Sequence, residues 1–238
     1  MSGLSRLASA KSAPVLPETL AQCLHANGVV PVIELPRPGL AVPLAEVLLE
    51  AGLGCMELTF RTAGADEAIA AVRQRLPDMM VGAGTVLTIE DAVKALEAGA
   101  QFIVAPGTNR RIVDYVTARG TVMVPGVATP SEIEANHERG LRLLKFFPAA
   151  PLGGVQWLKA IEGPFRDVRF LATGGVSATD LREYLGRPNV LACGGTWIAP
   201  RAILEIRGWT QVRERARQAL AIVRESREEA LAMASKRG

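Results

Sequence analysis

Apolar residues recur along this chain in two alternating rhythms. Short, dense runs such as VVPVI (29–33), MMVGAGTV (79–86), VRFLATGG (168–175) and VLACGGTW (190–197) read as strands. Between the runs lie stretches of helical period, among them LAEVLLEA (44–51), ADEAIAAVRQRL (65–76) and IEDAVKALEA (89–98). Four further segments repeat one design: EAGLGCMELTF (50–60), EAGAQFIVAP (97–106), ARGTVMVPG (118–126) and ERGLRLLKFFP (138–148). Each carries the end of a helical stretch, a glycine, then an apolar run closed by Pro, Gly or a polar group. Gly52, Gly99, Gly120 and Gly140 are therefore expected helix C-caps.

Eight such strands alternating with helices imply a parallel sheet covered by helices. Their number and even spacing predict closure into a single (β/α)8 barrel over residues 17–208. A doubly wound open sheet is the alternative, but no Gly-x-Gly-x-x-Gly opens a helix after the first strand. PETLAQCLHANG (17–28) is expected to form a helix closing the barrel's bottom, and residues 209–238 an extended C-terminal helix packed on it. Val212, Ala216, Leu220 and Val223 share one stripe of that helix. Residues 1–16 read as a flexible tail.

Composition narrows the function classes. At 238 residues, 49% hydrophobic and 21% charged, with 23 glycines, the chain has the make-up of a globular α/β protein with many tight connections. Its net charge of +3 is scattered rather than gathered in a stripe, which argues against nucleic acid. No segment approaches membrane-spanning length, and no signal-like apolar core follows the N-terminus. Cys23, Cys55 and Cys193 lack metal-ligand spacing, and His25 and His137 sit in helical stretches without ligand partners. A reducing cytoplasm and a metal-free, cofactor-free chemistry are the expectation.

LLKFFPA (143–149) holds the first candidate group, because an ammonium flanked by hydrophobes needs either a route to water or a reason to lose its proton. Alternation puts Leu143, Lys145 and Phe147 on one face and Leu144 and Phe146 on the other. Lys145 is either a lysine snorkelling to the rim or a neutral nucleophile in the lumen. CMELTFRT alternates as well, with Cys55, Glu57, Thr59 and Arg61 opposite Met56, Leu58 and Phe60. A parallel strand covered by helices should be apolar throughout, so Glu57 and Arg61 look placed for work; a structural Glu57–Arg61 ion pair is the alternative. Thr85 follows the small residues of VGAGTV. Two glycine pairs, Gly174-Gly175 and Gly194-Gly195, end the last two strands, where barrels commonly bind phosphate on bare backbone N–H groups and a helix N-terminus.

Taken in order, VVPVI, MELTFRT, VGAGTV, APG, VPGVATPSE, KFFPA, ATGGV and GGTW resemble the 2-keto-3-deoxy-6-phosphogluconate (KDPG) and 4-hydroxy-2-oxoglutarate (KHG) aldolase family. The resemblance implies a class I aldolase on a (β/α)8 barrel, with Lys145 as the Schiff-base lysine and Glu57 as general acid/base. It further implies that Arg61 and Thr85 hold the pyruvate carboxylate, that Pro106, Phe147 and Thr173 line the substrate, and that Gly174, Gly175, Gly194, Gly195 and Thr196 bind phosphate. A cytoplasmic homotrimer acting on a keto acid to give pyruvate and a phosphorylated aldehyde, as in the Entner–Doudoroff pathway, follows from the same resemblance. Thr173 favours a gluconate-type over a galactonate-type substrate. The chain departs from the family pattern in its tail, its long last helix, Thr196 where serine is frequent, and Ala150-Pro151-Leu152 after the lysine. A phosphosugar epimerase or isomerase, or a binder that lost catalysis, would share the phosphate loops without needing Lys145.

Overall fold

The computed structural model describes residues 18–235; the expected tail at 1–16 lies outside them. The strands are β1 (Val29–Ile33), β2 (Cys55–Thr59), β3 (Met80–Gly84), β4 (Phe102–Val104), β5 (Val122–Val124), β6 (Gly126–Val127), β7 (Leu143–Phe146), β8 (Arg169–Thr173) and β9 (Val190–Gly195). The helices are α1 (Glu18–Asn27), α2 (Ala41–Glu50), α3 (Ala65–Arg75), α4 (Ile89–Glu97), α5 (Arg110–Thr117), α6 (Pro130–His137), α7 (Gly154–Glu162), α8 (Leu181–Leu185), α9 (Arg201–Glu205) and α10 (Trp209–Ser235).

Every strand pair is parallel, in the order β5-β4-β3-β2-β1-β9-β8-β7-β6. The two ends of that order, β5 and β6, are separated in sequence by Pro125 alone, so the sheet closes on itself. Eight strands were expected; the fifth is split in two because proline has no N–H for the ladder. Its carbonyl still serves the seam, accepting from Lys145 N at 2.9 Å.

Period-two alternation divides the core into two layers. Val30, Cys55, Phe102, Val104, Leu143, Leu171 and Ala192 fill the lumen, and Leu20 and Leu24 of α1 plug it from below. Met56, Leu58, Leu144, Phe146, Phe170 and Ala172 face the helices. The four expected C-cap glycines all adopt left-handed φ, between 73° and 91°. Capping boxes start two helices: Thr88 with Asp91 at α4, and Thr129 with Glu132, followed by Pro130, at α6.

The last helix packs between α2 and α8 along the predicted stripe, with Val212, Ala216 and Val223 buried. Val223 fills the notch at Gly28, where a Cβ would sit 2.6 Å from it. Among the described residues, no helix is long and apolar enough to cross a membrane.

Candidate active site

Lys145 and Glu57 enter the lumen from strands well separated around the barrel. Lys145 is 2% exposed and Glu57 0%, with Nζ 3.9 Å from Oε1. Such burial removes the snorkelling alternative, since the ammonium does not reach the rim. The separation is too long for a hydrogen bond, and neither Glu57 oxygen has a hydrogen-bond partner. A buried pair that makes no hydrogen bond does not recover its desolvation cost, which makes it a poor structural device. The expected rival, a Glu57–Arg61 pair, does not form.

The sequence around each group explains its position. Phe146, pointing outward beside Lys145, stacks on Trp157 of α7 with centroids 4.1 Å apart and planes 8° from parallel. Trp157 also meets Phe170 edge-on at 5.8 Å. That aromatic clamp fixes β7 from behind and leaves its other face inward. Phe147 lies past the strand, its ring 5.0 Å from the Lys145 ammonium. Glu57 occupies space cleared by β3, because a Cβ on Gly84 would fall 1.9 Å from Oε1. Gly82 clears similar space for Phe102. The small residues of VGAGTV thus admit neighbours from both adjoining strands.

Arg61 departs from the alternation. Strand β2 ends at Thr59, and Arg61 stands exposed in the following turn, its Nε donating to Thr85 Oγ1 at 3.2 Å. Thr85 itself is held at φ 57°, a left-handed conformation that a β-branched residue adopts only under constraint. Its hydroxyl is thereby aimed at the guanidinium. Pro106 ends the β4 segment against Gly126, where a Cβ would sit 2.0 Å from the Pro106 carbonyl oxygen.

Thr173 closes β8 on the lumen side, buried, with Oγ1 unpartnered. Gly194 makes room for that hydroxyl, since a Cβ there would lie 2.4 Å from it. Gly174 and Gly175 both need left-handed φ, 96° and 80°. Ala149 N donates to Thr173 O at 2.8 Å and Ala150 N to Gly174 O at 2.9 Å, so the loop after the lysine is strapped to the glycine pair. Gly195 lies under Trp197, and Thr196 is exposed at the rim. The expected helix N-terminus is not beside the first pair: α8 starts only at Leu181 and has five residues. Among the described residues, no group of three His, Cys, Asp or Glu side chains is placed to hold a metal ion.

A lumen lysine faces a carboxylate that accepts no hydrogen bond, with an arginine and glycine loops at the strand ends. A sequence model described as KDPG and KHG aldolase matches residues 20–215. The chain belongs to that family. A 2-dehydro-3-deoxy-phosphogluconate aldolase of Treponema pallidum is 46% identical over 205 residues, covering 86% of this chain and 98% of that protein. A KHG/KDPG aldolase of Escherichia coli K12 is 40% identical, covering 85% and 96%. Among solved structures, the KDPG aldolase of Legionella pneumophila superposes with a TM-score of 0.81 at 36% identity, covering 84% and 97%. That structure holds pyruvate captured at low pH as a covalent carbinolamine intermediate. The α10 segment beyond residue 215 lies outside the KDPG and KHG aldolase match.

Proposed function

We propose that this chain is a class I aldolase that cleaves 2-keto-3-deoxy-6-phosphogluconate to pyruvate and glyceraldehyde 3-phosphate. The observation that carries the reading is the buried Lys145–Glu57 pair, unbonded at 3.9 Å. Neutral Lys145 attacks the keto carbon, and loss of water from the carbinolamine gives an iminium. Glu57, through a water, takes the proton from the hydroxyl on carbon 4. The bond between carbons 3 and 4 breaks, its electrons moving into the iminium to leave an enamine and release the aldehyde. Protonated Glu57 then returns its proton to carbon 3, and water hydrolyses the imine to free pyruvate.

The rest of the rim supports the same reading. Arg61, oriented through Thr85, offers a planar fork suited to the pyruvate carboxylate. Phe147 and Pro106 wall the substrate's path, and Thr173 brings an unpartnered hydroxyl to the lumen, where a gluconate-type hydroxyl has a use for it. Gly174, Gly175, Gly194, Gly195 and Thr196 receive the phosphate at the far end. The described residues up to 208 carry the barrel, and Trp209–Ser235 its covering helix. The homotrimer and cytoplasmic setting implied by the resemblance belong to the same reading, and sedimentation equilibrium reads the former.

Borohydride reduction with pyruvate tests the central step. A pyruvate-derived mass on the peptide holding Lys145 is expected, and none in Lys145→Ala; labelling at Lys159 instead, or nowhere, overturns the assignment.

A further inference from the structure

The two strands that end in the glycine loops begin, at the opposite face of the barrel, beside a second concave site. A cavity of about 530 Å³ lies between the end of α7, the start of β8 and the approach to β9. Lys159, Arg166, Arg169 and Arg187 line it, and Glu162 is its single carboxylate. Glu162 is already engaged by Arg187. No carboxylate among the described residues pairs with Lys159, Arg166 or Arg169. Several arginines elsewhere are matched: Arg182 with Glu225 and Glu229, Arg201 with Glu34 and Glu205, Arg213 with Glu50. Four cations and one carboxylate thus share this cavity wall, and that carboxylate is already taken by Arg187.

Two of the cations are also held in place. Arg169 Nη1 donates to the carbonyl oxygens of Arg166 and Val168 at 2.9 and 3.1 Å, while the rest of its guanidinium stays uncommitted. Arg187 is fixed by Glu162, and its Nε is buried without a partner. Asn189, 2% exposed and anchored by Nδ2 to Leu158 O at 2.8 Å, forms part of the lining. Lys159 and Arg166 are exposed and free to close over an occupant. Fixed guanidinium forks in a concave wall, with exposed cations at the mouth, suit a multiply charged oxyanion better than a monovalent counterion.

The geometry points to a second ligand site on the N-terminal face of the barrel, for a small phosphate-bearing anion, held by Lys159, Arg166, Arg169 and Arg187. It is distinct from the lumen site and does not depend on the role of Lys145.

Acetylation of the full-length enzyme, read lysine by lysine by mass spectrometry, tests the site with inorganic pyrophosphate as probe. Lys94, exposed and paired only with Glu90, is the internal reference. Pyrophosphate is expected to slow Lys159 acetylation roughly tenfold relative to Lys94, an effect that potassium chloride of equal ionic strength does not reproduce. Arg166→Gln and Arg169→Gln should each abolish that protection, and Arg166→Gln, an exposed change, should leave kcat/KM for the keto acid unaltered. Protection matched by potassium chloride, or undiminished in both variants, overturns the proposal and leaves a solvated basic patch.

Discussion

Lys145 Nζ lies 3.9 Å from Glu57 Oε1, one group 2% exposed and the other 0%, and Glu57 accepts no hydrogen bond from any described residue. The carboxylate is close enough to stabilise charge on the lysine nitrogen, yet both its oxygens remain available to a water or a substrate hydroxyl. A pair locked in a short bidentate contact would lack that freedom. Glu57→Gln isolates the proton-transfer part of the role: the amide keeps the shape and loses the base. The variant is expected to form the pyruvate imine but to exchange the methyl protons with solvent more slowly, by about 10²- to 10⁴-fold. Proton exchange followed by NMR decides it, and an unchanged rate would move the role to another group.

The space in front of Glu57 is as necessary as the carboxylate. Gly84→Ala would put a methyl group 1.9 Å from Oε1, so the side chain has to move within a filled lumen. Overpacking of this kind costs about 1 to 3 kcal/mol. Activity should fall together with stability, because the atom displaced is the proposed acid/base. Gly39→Ala is the control, since a Cβ there meets nothing within 4 Å. Denaturant midpoints and single-turnover rates for the two variants check the contrast; equal behaviour would mean that β3 relaxes freely.

How much of this was legible before the structure depends on how local each signal is. The inward turn of Lys145 and Glu57 follows from period two and is visible in LLKFF and CMELT. Gly84 against Glu57 is a cross-strand contact, so the sequence shows a small residue without its reason. Arg61 continues the alternation on paper, but β2 stops at Thr59 and the arginine reaches the rim from a turn, where Thr85 orients it. The split at Pro125 is readable only once its neighbours on the ladder are known. The basic cavity is harder still: its cations come from α7, the turn before β8, the first residue of β8 and the loop before β9, and no short window of sequence contains them all.

Thiol reactivity gives a prediction independent of the chemistry at Lys145. Hydrogen bonding from the Cys55 thiol, then from Asn27 Nδ2 at 3.2 Å, draws the Cys23 pKa below the ordinary thiol value against the effect of partial burial. Cys55 is pushed well above it, first by that same contact and then by full burial, and Cys193 is pushed up by burial. Iodoacetamide at mildly alkaline pH should therefore modify Cys23 first in the native protein, and all three once it is unfolded. Peptide mapping reads the order, and early labelling of Cys193 would show that the outer layer opens more readily than its packing implies.

The phosphate assignment needs a test that spares the packing, because Gly175 and Gly195 are each explained by close neighbours: a Cβ would lie 2.6 Å from Ala150 Cβ and 2.4 Å from Trp197 Nε1. Replacing either glycine disturbs the loop whatever the loop binds. Thr196 escapes that ambiguity, since it stands exposed at the rim. A hydroxyl donating to a phosphate dianion is worth about 1.5 to 3 kcal/mol, so Thr196→Val should lower kcat/KM for the phosphorylated keto acid by roughly tenfold or more. The unphosphorylated analogue, which cannot use that donor, should be cleaved at an unchanged and much lower efficiency. Imine formation with pyruvate should also be unaffected, because the phosphate sits at the far end of the substrate from the keto carbon. Equal losses with both substrates would assign Thr196 and its glycines to the shape of the barrel's rim, and the phosphate would have to be sought on another loop of the same face.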